Sequence, residues 1–503
     1  MSMKKRIVSV VLIICILTAV IVVGQPFFQR LVHVSEDAGS SGKETVHLWY
    51  TDDNLTEYLN QMALNFYEEK DIRVEVKLVS GLEYLEQINQ ASLSEEENTP
   101  DLFIISNDSL EKAYLSGLAT EVQDTQGILN TQNYSQTALN AVLYQDKMVG
   151  YPYYYETSAL IYNKTYLEQM ARKTVEEEMG IELEKEEEDS QEEEEAVTET
   201  DPFAGCDDTV KAAAMEKVDT MIPSTIVDIL TFADEYDAPE NVESFFKWDV
   251  SDIFYNYFFI GNYISVGGDA GFDNKQISIY NSDAIASLKV YQELNQFFSI
   301  EADEVDYDKV VNEFAEGKII FTIATSDILS KLETAKAEGA FPYEYGVAVI
   351  PDINAELLTR GMSVTEAIAV NGYSTNKEAA NQFAAYLSSE HADSLYDRTH
   401  KVAANKNVSY ENAWINVFNQ EYEKSVPVPK MVETSNFWIL LENCFTKVWS
   451  GEDANTELKV LSEQIMTQLT GEAYEEEHLD DPEVELLHAE EYEEVPEEQN
   501  TEE

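Results

Sequence analysis

The stretch Thr45–Val79, "TVHLWYTDDNLTEYLNQMALNFYEEKDIRVEVKLV", decides the fold class. Val46, Leu48 and Tyr50 alternate with their neighbours, as in a half-buried strand. Leu55, Leu59, Met62, Ala63 and Phe66 then recur at helical spacing and share one face. Ile72, Val74, Val76 and Leu78 alternate again. Outward from there, a helical pattern runs to about Leu93, and "PDLFIIS" (Pro100–Ser106) reads as a short apolar strand. Strand, helix, strand, helix, strand is the signature of an open α/β sheet built from right-handed crossovers.

The alternation returns downstream. "KIIFTIAT" (Lys318–Thr325) and "YGVAVIP" (Tyr345–Pro351) read as strands around a helix from Ser326 to Glu338. "TEAIAVNGYS" (Thr365–Ser374) is another strand. It leads into a helix from about Asn376 with Ala379, Ala380, Phe383, Tyr386 and Leu387 inward, and Asn436–Leu469 is helical. No internal repeat is visible.

A formal charge of −65 is unevenly spread. Two segments, Arg172–Gly205 and Glu472–Glu503, carry −12 and −16 of it. Both have too few apolar residues to form a core and repel themselves, so they read as a disordered acidic insertion (172–205) and a disordered acidic tail (472–503). So acidic a surface repels phosphate backbones, which excludes nucleic acid as a partner. Cys15, Cys206 and Cys444 give neither a disulfide framework nor metal-ligand spacing. At the N-terminus, Lys4, Lys5 and Arg6 precede the apolar run Ile7–Val23. That pattern predicts export, with residues 1–24 as an uncleaved membrane anchor or a removed signal, and 25–43 as a polar stalk.

Open α/β sheets bind ligands beyond the carboxyl ends of their strands. That rule selects Trp49, Tyr50, Asp52 and Asp53 after the first strand, and Ser106, Asn107 and Asp108 after the third. It also selects Thr325, Ser326 and Asp327 after "IIFTIA", and Glu156 at the end of "YPYYYE" (Tyr151–Glu156). Carboxylates accept charge-assisted hydrogen bonds from vicinal hydroxyls, and aromatic rings cover the C–H faces of a sugar. Any single strand-end acid more often caps a helix; the coincidence of several points to a polyhydroxylated ligand. No nucleophile elbow, zinc helix, phosphate loop or paired-cysteine motif is present, so neither enzyme chemistry nor a cofactor or metal is expected.

"TPDLFIISNDSLEKAYLSGLATEV", "YQDKMVGYPYYYETSALIYNKTYLE", "VVNEFAEGKIIFTIAT", "STNKEAANQFAAYLSSEHA" and "VPVPKMVETSNFWILLENCFTKVWSGE" occur in this order. Through them the chain resembles the extracellular solute-binding proteins of ABC sugar importers, of the maltose-binding type. The resemblance implies a two-lobed α/β fold of periplasmic-binding-protein type II, each lobe a mixed sheet flanked by helices, with the N-terminal anchor helix in front. Lobe 1 would comprise 44–152 with 361–405, and lobe 2 would comprise 153–360 with 406–471. Carried over residue by residue, the implied ligand contacts are Trp49, Asp53, Asp108, Glu156, Asp252, Phe254 and Trp438; the strand-end rule adds Asn107 and Ser326, and Tyr154 is added as a further ring platform. Ser109 stands where the maltose binder has arginine, and Ile105 and Ser326 or Asp327 where it has tryptophans, which argues against maltodextrin itself. The partners implied are a carbohydrate and the ABC permease subunits, met by a monomer at the outer face of the membrane or secreted. A polyamine, met by the acids, and ferric ion, met by the tyrosines, are alternative solutes. A cell-surface carbohydrate-active enzyme and a sensory or scaffold protein without a ligand are alternatives of other classes.

Overall fold

The computed structural model describes residues 45–94, 98–181 and 201–484. The apolar run Ile7–Val23, the stalk and most of the acidic insertion lie outside them. Among the described residues no helix is long and apolar enough to cross a membrane.

The chain opens as its alternation predicts, with β1 (Thr45–Tyr50), helix Thr56–Lys70, β2 (Arg73–Leu78), helix Tyr84–Ser94 and β3 (Leu102–Ser106). β1 pairs in parallel with both β2 and β3. A small hairpin, β4 (Leu143–Tyr144) and β5 (Lys147–Met148), leads into the long strand β6 (Tyr151–Asn163). Beyond it come β7 (Ser244–Phe246), the hairpin β8 (Ser265–Val266) and β9 (Ile277–Ser278), β10 (Ile319–Thr325) and β11 (Tyr345–Ala348). Then follow β12 (Met362–Val370), β13 (Val402–Ala403) and β14 (Val426–Pro427). The main strand order is β2-β1-β3-β12-β6-β10-β7.

β6 belongs to both halves of this sheet system. Its residues Tyr151 to Thr157 pair with β12, and Ser158 to Tyr162 pair with β10. The pairing partner therefore changes between Thr157 and Ser158, so Tyr154 to Thr157, expected in lobe 2, pair instead with the N-terminal half of the sheet system. Pro152 has no N–H to give to a ladder, and the β6–β12 register slips beside it, between Glu366 and Ala367. The slip leaves Tyr154 opposite Glu366 and Glu156 opposite Val364. Where β11 crosses β6, a Cβ on Gly346 would meet the Tyr162 ring at 2.2 Å, so only glycine lets that ring lie over the strand.

Two apolar clusters cover the two faces of the N-terminal sheet. One is built on Leu48, Phe66, Ile104 and Phe383, the other on Ile88, Phe103, Leu110 and Ala367. A larger cluster around Ile161, Trp248, Tyr291, Phe321 and Trp449 fills the second lobe. Most tyrosines of "YPYYYE" are core: Tyr151, Tyr153 and Tyr155 are each 2% exposed or less. Tyr155 stacks face to face on Tyr422 at 3.8 Å and donates to Asn419. Such a pair adds roughly 0.5–1.5 kcal/mol beyond its buried area.

The acidic segments depart from the sequence reading at their edges. Helix Lys164–Glu178 runs into the expected insertion, because Val175 is buried and Arg172 pairs with Glu176 one turn on at 2.8 Å. It packs on helix Asp208–Met221. Of the expected tail, Glu472–Val484 lies against the second lobe. Asn455 donates to the Leu479 carbonyl and Asp481, Lys289 pairs with Asp481 at 3.1 Å, and Leu479 and Val484 touch the core. Those local partners outweigh the segment's self-repulsion. The rest of the tail lies outside the described residues.

Asn107 fastens the turn after β3 to β12 and to the segment after β14. It is fully buried, donates to the Val428 carbonyl at 2.8 Å and accepts from the Thr365 N–H at 2.9 Å. Asn107→Ala strands two buried backbone groups, which costs about 2–4 kcal/mol. Urea unfolding should show that loss; a change below about 0.5 kcal/mol would contradict the bridging role.

Candidate functional site

The carboxyl ends of β1 and β3 meet the middle of β6 and β12, and four carboxylates gather there. β12 places Glu366 between Tyr154 of β6 on one side and Ser106 of β3 on the other. Directly opposed side chains on neighbouring strands stand about 4.5–5.5 Å apart at Cβ. Asp108 follows β3 in the next turn and is exposed, as is Glu156 on β6. Asp52 caps the turn after β1 through the Asn54 N–H at 3.0 Å, and its other oxygen faces Lys401.

Lys401 organises the group. Its ammonium lies 3.0 Å from Asp52 and 3.0 Å from Glu156, and 5.3 Å above the Tyr154 ring. It sits there because β13 pairs with β6 at Tyr154 and Tyr155, immediately after it. Burial works against its charge, but Glu156 and Asp52 hold it above the ordinary lysine value. Glu366, half-buried, responds in the opposite sense. Desolvation, then the negative charges of Glu156 and Asp108, push it up to about 8 against the smaller pull of Lys401. Burial, with Glu366, Asp52 and Glu156 around it, also raises the Tyr154 phenol well above its usual value.

A second group stands on the second lobe. Asp252 caps a short turn through the Phe254 N–H at 2.8 Å, and that turn packs on helix Phe437–Trp449. The helix carries Trp438, half-buried and edge-on to Tyr257 at 5.8 Å, and Glu442 one turn later. Burial and the nearby Asp252 and Asp249 raise Glu442. At the end of β10, Thr325 pairs with Ser158, two residues along β6 from Glu156. Asp327 accepts from Tyr307 at 2.6 Å, and Tyr307 stacks on Tyr255 at 4.9 Å.

The ten expected ligand contacts thus fall into three sets. Asp108, Tyr154 and Glu156 come together, and Asp252, Phe254 and Trp438 share the second group. Asp53 is exposed beside the first group, but its neighbour Asp52 makes the contact to Lys401. The remaining three face inward. Asn107 is spent on two backbone groups, Ser326 is buried, and Trp49 is 4% exposed with Lys77 over its ring and its indole N–H without a partner among the described residues. Sequence reasoning missed Lys401 and Glu366. Glu366 had a signal, being the one charge inside the apolar strand "SVTEAIAV" (Ser363–Val370); Lys401 had none.

The sequence matches the family model described as bacterial extracellular solute-binding protein over residues 52–393, and the chain belongs to that family. No curated protein matches the sequence. Among solved structures, a cyclo/maltodextrin-binding protein complexed with maltotetraose superposes with a TM-score of 0.65 at 19% identity, over 86% of this chain and 98% of that one. The maltose-binding periplasmic protein MalE from Listeria monocytogenes, with maltose, gives 0.63 at 20% identity over 85% and 99%. An extracellular solute-binding protein from Staphylococcus aureus, also with maltose, gives 0.63 at 16% over 86% and 98%. The mixed α/β fold is that of these two-lobed proteins.

Glu366 makes stability pH-dependent. Its ordinary value is 4.5 and its folded value about 8, so between them the folded chain holds a proton that the unfolded chain has lost. Its contribution therefore weakens as pH rises through that window. Melting curves of Glu366→Gln across it should show a flatter decline than the parent; parallel profiles would contradict the assignment.

Proposed function

We propose that the chain is an extracytoplasmic substrate-binding protein of an ABC transporter, capturing a carbohydrate in the interlobe cleft and delivering it to the permease. The observation that carries this reading is the set of acceptors at the strand ends of the first lobe, Asp52, Asp108, Glu156 and Glu366, beside the Tyr154 ring. Such a wall receives hydroxyl donors, and the solved structures of the same fold hold maltose and maltotetraose. Trp438 and Phe254 supply apolar surface on the second lobe. In this reading the protein is a monomer without catalytic activity or cofactor. It is held at the outer face of the membrane by Ile7–Val23 or released from it.

Lobe closure supplies the signal. A ligand touching both lobes stabilises the closed form by its differential affinity for the two forms. The charged group centred on Lys401 suits a ligand other than maltodextrin, since no tryptophan or arginine stands at positions 105 and 109.

A saccharide panel read by thermal shift tests the reading, because a site-specific ligand raises the melting temperature by mass action. At least one saccharide should do so; a shift with spermidine or ferric ion alone would sink it. Glu156→Gln removes one charged acceptor and should weaken saccharide binding by about tenfold, or ~1.4 kcal/mol, without lowering the ligand-free melting temperature. Unchanged affinity with lowered stability would make Glu156 structural.

A further inference from the structure

The first-lobe site already holds an ammonium. Lys401 Nζ is gripped by Asp52 and Glu156, each at 3.0 Å, with the Tyr154 face 5.3 Å below it. Two carboxylates and a ring face are the surroundings that stabilise an organic cation. One lysine does not balance this wall: Asp52, Glu156 and Asp108 are three carboxylates against it, with Glu366, which burial and its acidic neighbours keep protonated, beside them. Among the described residues neither Asp108 nor Glu366 has an ion-pair partner, and no arginine joins the group. On the second lobe Asp249, Asp252 and Glu442 lie near one another, again without an ion-pair partner among the described residues.

A further observation points to a ligand. The Tyr154 side chain is 3% exposed, and no hydrogen bond to its hydroxyl is made among the described residues. That hydroxyl lies within the field of Glu366, Asp52 and Glu156. The ring is enclosed but the hydroxyl is not among the fully enclosed atoms, so it is open to water or to a ligand.

From this arrangement we infer that the bound saccharide carries a free amino group, a hexosamine rather than a neutral or acidic sugar. The inference rests on the carbohydrate reading above. Closing two lobes over uncompensated carboxylates strips them of water, and that cost falls when the ligand brings positive charge. A sugar ammonium offers three donors and a charge to Asp108 and Glu156, with the carbonyl oxygen of Glu366 as a further acceptor, while its ring hydroxyls bond as those of any hexose. A uronic acid meets repulsion at the same wall. A neutral sugar leaves the excess charge in place.

Calorimetric titration of the intact chain with a glucosamine tetramer, its fully N-acetylated form and maltotetraose tests this. The glucosamine tetramer should bind about tenfold or more tightly than either neutral tetramer, and its advantage should shrink at high salt. Lys401→Met, which removes the competing ammonium, should tighten glucosamine binding further. Equal or tighter binding of a neutral tetramer overturns the inference and leaves the carbohydrate reading standing. Binding of spermidine without any saccharide overturns both. Weaker glucosamine binding by Lys401→Met, in a variant that melts like the parent, also overturns the inference.

Discussion

Strand β6 is shared between two sheets, and the remaining architecture follows from that sharing. Tyr151 to Thr157 are committed to β12, and Ser158 to Tyr162 to β10, with no loop between them. Under the proposed function, hinge closure about this shared strand is the motion that would bring the two lobes together. Asn107 adds a fixed tie, joining β12 to the Val428 segment. Lys430 adds another. It is 1% exposed and its ammonium donates to the carbonyls of Asn140 and Leu143.

The same strand positions the chemistry. Glu156 lies just before the change of partner, so its pairing is with β12, beside the ends of β1 and β3. The slip beside Pro152 sets Tyr154 opposite Glu366, which places an acid from β12 next to one from β6. Repulsion between these groups is relieved in two ways: Lys401 bridges Asp52 and Glu156, and Glu366 keeps its proton to about pH 8. A site that holds like charges together without a ligand is poised to gain from one.

Much of this was legible in the sequence because periodicity reports burial. The first three strands, their helices, and the strands at 319–325 and 345–348 announced themselves through alternating or continuous apolar residues. Glu156 was legible because a carboxylate interrupts a run of rings. Asn107 and Trp49 misled, because a polar or aromatic residue at a strand end looks the same whether it faces the cleft or the core. Only its burial and its bonds to Thr365 and Val428 show Asn107 turned inward. Lys401 was illegible for a different reason. Its partners Asp52 and Glu156 lie hundreds of residues upstream, and no local pattern encodes a contact made by sheet topology.

The central claim is that two lobes hinged on β6 close over a solute. Small-angle X-ray scattering of the intact chain, with and without whichever saccharide most raises its melting temperature, measures this directly. The account predicts a smaller radius of gyration with ligand, reversed when the ligand is dialysed away. An unchanged radius at saturating ligand would contradict it.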